Sequence, residues 1–332
     1  MITLTLALFV VGGILYTFLG SRTVFVSNDA VAKIQEDARI ALERLTREVR
    51  QAGFTGCANT LDVTPRVIAD VDHNGVADFP FAAGSGIRVY DNGTGWTNTT
   101  GITRVAGTDV IHIAGMSACS ARLTGNMTAD NANIQIGTNP CGWAADQVLL
   151  IADCTNIDVF AATTVSTGSV TISHASSNSN NTDNKLSKAY GKEAMVFGYG
   201  ERTFFVGMHP TLNQPLLYEV GFNGAASSVN DIAANVFDLQ VMAAQLDTNA
   251  DGAPDATVLS EEDEETPLVA PALGAVADWA QVLGVEIRYS IRSEADNTGP
   301  SDQTYLFGGA MTTDKRIRRD FSTVIGIRNR LP

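Results

Sequence analysis

Met1-Ile-Thr-Leu-Thr-Leu-Ala-Leu-Phe-Val-Val-Gly-Gly-Ile-Leu-Tyr-Thr-Phe-Leu-Gly-Ser21 opens the chain, and no formally charged side chain appears before Arg22. An uninterrupted apolar run of this length is enough for one helix to span a bilayer. From Val31 to Ala52 the pattern changes: Ile34, Ala38, Ala41, Leu42, Leu45, Val49 and Ala52 recur in steps of three and four, the apolar stripe of an amphipathic helix. Arg39 with Glu43, and Glu43 with Arg47, stand one turn apart with opposite sign. Such pairs support an exposed helical face by about 0.2 to 0.5 kcal/mol each. No proline interrupts the stretch, and Gly53 suits the position where a helix stops. Read as one element, residues 1–53 form a rod of about 80 Å. It is apolar all round over 1–21 and on one side only over 22–53. A signal peptide is the weaker reading, because no basic region precedes the run and no small-x-small cleavage pattern closes it.

The apolar half, the mid-helix Gly12-Gly13 pair and an amphipathic half ending in Arg-x-x-Arg-x-Ala-Gly-Phe (Arg47 to Phe54) resemble the N-terminal helix of type IV pilins. The likeness is tightest to PilW-type minor pilins. Ala38-Arg-Ile-Ala-Leu-Glu-Arg-Leu-Thr-Arg-Glu-Val-Arg-Gln-Ala-Gly-Phe-Thr-Gly-Cys57 is similar to that family's helix end and following turn. Asn235-Val-Phe-Asp-Leu-Gln-Val241, running into Asp247-Thr-Asn-Ala-Asp-Gly252, and the C-terminal segment from Arg318 to Pro332 agree as well, whereas Gly56 to about Gly200 matches loosely. The family's basic leader and the Glu at the fifth position of its mature chain would lie ahead of Met1.

This resemblance implies an α+β chain with the type IV pilin fold: a long protruding N-terminal helix (1–53) packed on an enlarged antiparallel β-sheet head (54–332) with insertions. It implies a minor pilin held in the bacterial inner membrane, head outside the cytoplasm, and then moved into an extracellular pilus. Its partners would be other minor and major pilins through the helix, together with a tip adhesin, in a role that primes assembly and serves adhesion and twitching motility. A minor pseudopilin of a type II secretion system and a major filament subunit are the alternatives.

Composition agrees with an exported globular head. Of 332 residues, 45% are hydrophobic and only 17% charged, with 30 glycines and many Thr, Asn and Ser. The net charge of −14 opposes binding to nucleic acid or to anionic surfaces. Charge is uneven, with an acidic block at Glu261–Glu265 and a basic C-terminus at Lys315, Arg316, Arg318, Arg319, Arg328 and Arg330. Phe321 is the one aromatic residue among them, too few for the stacking of single-strand binders, so pairing with acidic groups of the head or of a neighbour is expected. Cys57, Cys119, Cys141 and Cys154 are sufficient for two disulfides, and none forms a Cys-x-x-Cys pair. Three connectivities are open. The preferred one joins Cys119 to Cys141, closing a Gly/Asn-rich excursion, and Cys57 to Cys154, tying the helix exit to a strand.

Past Cys57 the pattern is one of strands and turns. Strands are expected at 86–90, 108–113 and 146–152, and a hairpin at 202–206 with 216–220. In Val285-Glu-Ile-Arg-Tyr-Ser-Ile291 the odd positions share one face and Glu286, Arg288 and Ser290 the other, which predicts a half-buried antiparallel sheet. A last strand is expected over 322–328, and Ser176–Asn184 reads as a polar loop.

Two stretches have calcium-loop spacing: Asp70, Asp72, Asn74, Val76 and Asp78, and Asp247, Asn249, Asp251, Ala253 and Asp255. Oxygen ligands at positions one, three, five and nine, a backbone carbonyl at seven and a turn-forming Gly at six suit a hard cation, expected here to be structural Ca2+. The position-twelve Glu is replaced by Phe81 and Val258, so a further ligand such as Glu261 or Glu262 would be needed in the second loop. Asx-type turns without an ion are the competing account. No phosphate-binding glycine loop, His-Glu-x-x-His or nucleophile elbow is present, and the chain is expected not to be an enzyme.

Overall fold

The computed structural model describes residues 2–58, 63–70, 77, 86–166, 170–176, 180–223, 227–245 and 282–328. Among the described residues one long helix, α1 (Ile2–Arg50), precedes a remainder built mostly of strands, an α+β arrangement. In chain order these are β1 (Arg66–Val67), β2 (Ile87–Tyr90), β3 (Val110–Arg122), β4 (Ile134–Ile136), β5 (Val148–Ala152), β6 (Ile157–Ala161), β7 (Thr164–Val165) and β8 (Val170–Ser173). They continue as β9 (Met195–Met208), β10 (Pro215–Phe222), β11 (Ser227–Ala234), β12 (Val236–Gln245), β13 (Val282–Arg292), β14 (Gln303–Phe307), β15 (Ala310–Asp314) and β16 (Arg318–Gly326).

Strand β9 is the spine of the main sheet. Along one edge it pairs with β3; along the other, Met195–Gly198 pairs with β5 and Glu201–Met208 with β10. From there the sheet extends through β6 to β1 and through β10 to β11, and β2 lies outside β3. All pairings are antiparallel except β1 beside β6. A second sheet runs β12-β13-β16, and smaller ones are β4-β8-β7 and the β14-β15 hairpin. The expected 202–206 and 216–220 hairpin is present as β9 and β10. The expected strand at 108–113 continues to Arg122, because β9 pairs with Val110–Met116 and again with Ser120–Arg122 and overrides the weak alternation of Ala114-Gly-Met-Ser-Ala-Cys119.

The stripe read from the sequence is the buried face of α1: Ile34, Ala38, Ala41, Leu45, Val49 and Ala52 are all at most 3% exposed. It joins one apolar core with Ile111 and Phe204 of the main sheet and with Leu239, Val285, Ile287, Tyr289 and Ile291 of the second. Full burial of each larger aliphatic residue contributes about 1.5 to 3 kcal/mol, so this seam accounts for much of the docking of helix to head. Val285, Ile287, Tyr289 and Ile291 of β13 all point into that core, as their alternation predicts. Strands β5 and β6 are buried on both faces, between two further apolar clusters, which explains the unbroken hydrophobic text of β5; in β6 the buried Asp158 accepts from the hydroxyls of Ser187 and Tyr190.

The helix stops at its predicted place. Gly53 adopts φ +66°, and its N–H donates to the Ala114 carbonyl at 2.9 Å, while Met116 donates to the Phe54 carbonyl at 2.9 Å. Gly86 presses against this exit so closely that a Cβ there would lie 1.9 Å from the Gly53 nitrogen. Disulfides join Cys57 to Cys154 and Cys119 to Cys141, the former across 97 residues. Cys119 lies in the bulge where β3 slips register against β9 between Met116 and Ser120. The polar loop around Ser176–Asn184 is not wholly on the surface. Asn181 is buried, donating to the Ala161 carbonyl and accepting its N–H, so its amide completes the end of β6 as a strand would.

Candidate functional site: the helix and its junction with the head

From Leu8 to Val26 every residue of the helix is exposed. Leu8, Phe9, Val10, Val11, Ile14, Leu15, Tyr16, Phe18, Leu19, Val24 and Phe25 are all more than half exposed. The hydroxyls of Thr17 and Thr23 donate back to the carbonyls of Gly13 and Leu19, each at 3.0 Å, so both are satisfied within the helix. Among the described residues one helix, near the N-terminus, is thus long and apolar enough to cross a membrane. Its 49 residues make a shaft of about 74 Å, and its exposed part is far larger than the apolar patches that soluble monomers leave in water.

The other half is fastened to the head by polar bonds as well as by the apolar seam. Arg44 of α1 forks onto Glu219 of β10, with Nε to Oε2 and Nη2 to Oε1 both at 2.5 Å. Arg202 of β9 approaches Oε1 of the same carboxylate at 3.1 Å, and Glu48 braces Arg44 from the helix side at 3.0 Å. The Glu219 side chain is 3% exposed, a charge that stays buried because two guanidiniums meet it. The hydrogen bond to Glu219 raises the Arg44 pKa, and burial pushes the Glu48 carboxyl up against the pull of Arg44. Tyr289 of β13 donates to the Ala38 carbonyl of the helix at 2.8 Å, and burial pushes its phenol up to about 12. The helix ion pairs are Lys33–Asp29, Arg44–Glu48 and Arg47–Glu48, not the expected Arg39–Glu43 and Glu43–Arg47. Tertiary contact decides this: Glu48 leans toward the Arg44–Glu219 fork, whereas Arg39 and Glu43 remain in solvent.

Polar clusters elsewhere in the head hold structure together. His112 Nδ1 meets Thr203 Oγ1 at 2.8 Å, its Nε2 lies 3.6 Å from Glu201 Oε2, and Tyr199 donates to the same carboxylate. Burial, with Arg88 adding to it, pushes the imidazole down to about 4, so His112 is neutral at pH 7 and the chain of groups acts as a cross-strand network. Asp109 is fully buried at the joint between the two main sheets. It accepts the N–H groups of Asn92 at 2.9 Å and Val241 at 2.8 Å, and burial pushes its carboxyl up to about 7.

Of the calcium-loop residues only Asp70 is described; it is buried, and its N–H donates to the Asn180 carbonyl at 2.8 Å. Asp72, Asn74, Val76 and Asp78, and Asp247, Asn249, Asp251, Ala253 and Asp255, lie outside the described residues. Among the described residues no three His, Cys, Asp or Glu side chains gather as a metal site. Of the C-terminal cations, Arg316 and Arg318 meet Asp314 and Lys315 lies 3.9 Å from Asp302, whereas Arg330 lies outside the described residues. The sequence reading missed Glu219. A lone carboxylate within the apolar run Leu216-Leu-Tyr-Glu-Val220 was the available signal. Comparison with protein-family models, with curated proteins and with solved structures finds no match to the chain.

Proposed function

We propose that the chain is a non-catalytic filament subunit of the type IV pilin kind, a PilW-like minor pilin with the pilin fold. Its apolar shaft is stored in the bacterial inner membrane and then transferred into a bundle of similar helices. The observation that supports this reading best is the division of α1. One half is exposed from Leu8 to Val26, and the other is locked to the head by an apolar seam and by the Arg44–Glu219 fork. Such a handle lets a rigid head be lifted without unfolding, because the surface that leaves lipid is never the surface that holds the head. Other minor and major pilins would meet the exposed half, and the head would present the contact surface for an adhesin.

The test is genetic. Deleting the gene and restoring it as wild type or as Phe9→Asp/Ile14→Asp, which changes only residues outside the head's core, separates shaft from head. The expected result is loss of surface filaments on deletion, recovery with the wild type and no recovery with the double variant. Normal filaments and motility without the gene would refute the assembly role.

A further inference from the structure

Two features at opposite ends of β9 match each other. Where the strand starts, a groove of about 660 Å³ opens beside the end of α1. Phe54, Ala152, Met195 and Phe197 give it an apolar floor, of which Phe54 and Met195 are half-buried, and the exposed Cys57–Cys154 disulfide lines it too. At its rim Lys188 is taken up by Asp153, whereas the exposed Glu193 is met by no cation among the described residues. Where the strand ends, the turn 209–214 leads back into β10 with Leu212 at its tip, 57% exposed. The turn is held stiffly. His209 Nδ1 accepts the N–H groups of Thr211 at 3.2 Å and Leu212 at 3.1 Å, the His209 N–H donates to the Gln214 carbonyl at 2.8 Å, and Asn213 takes the left-handed φ of +51°. Because Nδ1 accepts, the ring proton sits on Nε2. An apolar side chain presented on so rigid a turn is pre-organised for a partner, since little freedom is left to lose on docking.

These are also the two ends of the docked half of α1. The groove takes in Phe54, just past the helix stop, whereas Gln214 of the turn donates at 3.3 Å to Glu294, which lines a crevice with Asp29 and Lys33 of the helix. By the rise of either the helix or the strand, knob and groove stand about 35 to 40 Å apart along the shaft. Sliding one copy along the shaft by that distance sets its Leu212 over the groove of the next, a displacement that parallel shafts in one bundle allow. We propose a head-to-tail contact between copies of the chain: the tip Pro210-Thr211-Leu212 of one enters the apolar groove of another, and its His209 Nε2–H donates to Glu193 at the rim. The turn 209–214 carries no carboxylate to oppose Glu193. Knob and groove are different surfaces, so the contact is heterologous and repeats without closing, as a filament requires and a closed dimer does not. One turn in one groove is a small interface, and it gains strength from shafts already gathered side by side, which raise the local concentration of heads. The inference rests on the reading of the chain as a filament subunit.

The test uses the full chain in neutral detergent. A copy with Leu212 replaced by p-benzoylphenylalanine is irradiated with an excess of a second copy bearing an affinity tag, and the covalent product is mapped by mass spectrometry. The expected crosslink joins position 212 to Met195 or its neighbours in the groove of the tagged copy. Two tagged plugs, Ser120→Trp inside the groove and Glu193→Trp at its exposed rim, should each cut the yield about tenfold, the worth of one buried leucine. Tagged Leu212→Asp, which lacks the knob but keeps the groove, should accept the crosslink as the wild type does. Loss of the crosslink to Leu212→Asp, crosslinks mapped to the shaft or scattered over the head, or a yield indifferent to both plugs overturns the proposal. In phosphatidylcholine vesicles the same probe reads a competing occupant: label recovered on lipid, with none in the groove, assigns Leu212 to the bilayer surface and overturns the contact as well. The filament reading fails separately. Groove labelling together with filaments that form without the gene defeats that reading alone, and no groove labelling where filaments need the gene defeats the contact alone.

Discussion

Replacing Glu219 by Gln keeps the side-chain volume and removes the charge on which the helix is fastened. In the native protein its two oxygens receive Nε and Nη2 of Arg44 at 2.5 Å and approach Nε of Arg202 at 3.1 Å, with only 3% of the side chain exposed. Removing one member of a buried ion pair costs about 3 to 5 kcal/mol when the remaining charge is wholly trapped. Here the side chains of Arg44 and Arg202 are 25% and 34% exposed, and Glu48 stays beside Arg44, so both cations recover some hydration and screening. The expected loss is therefore smaller, about 2 to 3 kcal/mol. At the usual entropy of unfolding for a head of this size, that lowers the melting temperature by roughly 5 to 10 °C. The assay is thermal and urea unfolding of the full chain in detergent with its disulfides intact, followed by tryptophan fluorescence. Arg44→Met and the double variant complete a thermodynamic cycle. Because Arg202 still holds Glu219 when Arg44 is gone, Arg44→Met should cost less than Glu219→Gln, and the pair should be non-additive by at least about 1 kcal/mol. A loss below about 0.5 kcal/mol for Glu219→Gln, the range of ordinary surface changes, or strict additivity, would refute the fork as a fastening.

Asp109 provides a pH signature. Its folded pKa of about 7 lies above the unfolded value of 3.8, so its contribution to stability is complete below about 4 and is lost as pH rises through 7. The urea midpoint of the wild type should therefore fall between pH 5 and 8 by more than that of Asp109→Asn; equal slopes would contradict it. Gly86→Ala would place a methyl 1.9 Å from the Gly53 backbone nitrogen, where no flexible side chain can yield. A loss of about 3 kcal/mol, at the upper end of ordinary overpacking, and poor recovery of folded protein are expected, whereas a wild-type melting temperature would disprove the contact. Opening Cys57–Cys154, which closes 97 residues, should destabilise more than opening Cys119–Cys141, which closes 22, by about 1 kcal/mol on the loop-entropy account; paired Cys→Ser variants compared by unfolding decide it.

The sequence by itself determined the parts whose signal is local. The two-part helix, its buried stripe from Ile34 to Ala52, its stop at Gly53 and the alternating faces of β13 all follow from periodicity and from one residue's backbone freedom. Those patterns repeat every two to four residues, and neighbours along the chain are enough to express them. Only the tertiary structure decided the rest. Arg44 and Glu219 are separated by 175 residues, and nothing in either local text names the other. The same distant carboxylate explains why Glu48 sides with Arg44 while the predicted pairs of Glu43 do not form. Gly86 meeting Gly53 and Asn181 standing in for a strand are likewise products of chain closure. Such juxtapositions depend on which strands pair and in what register, a choice made by the whole core together and encoded at no single position.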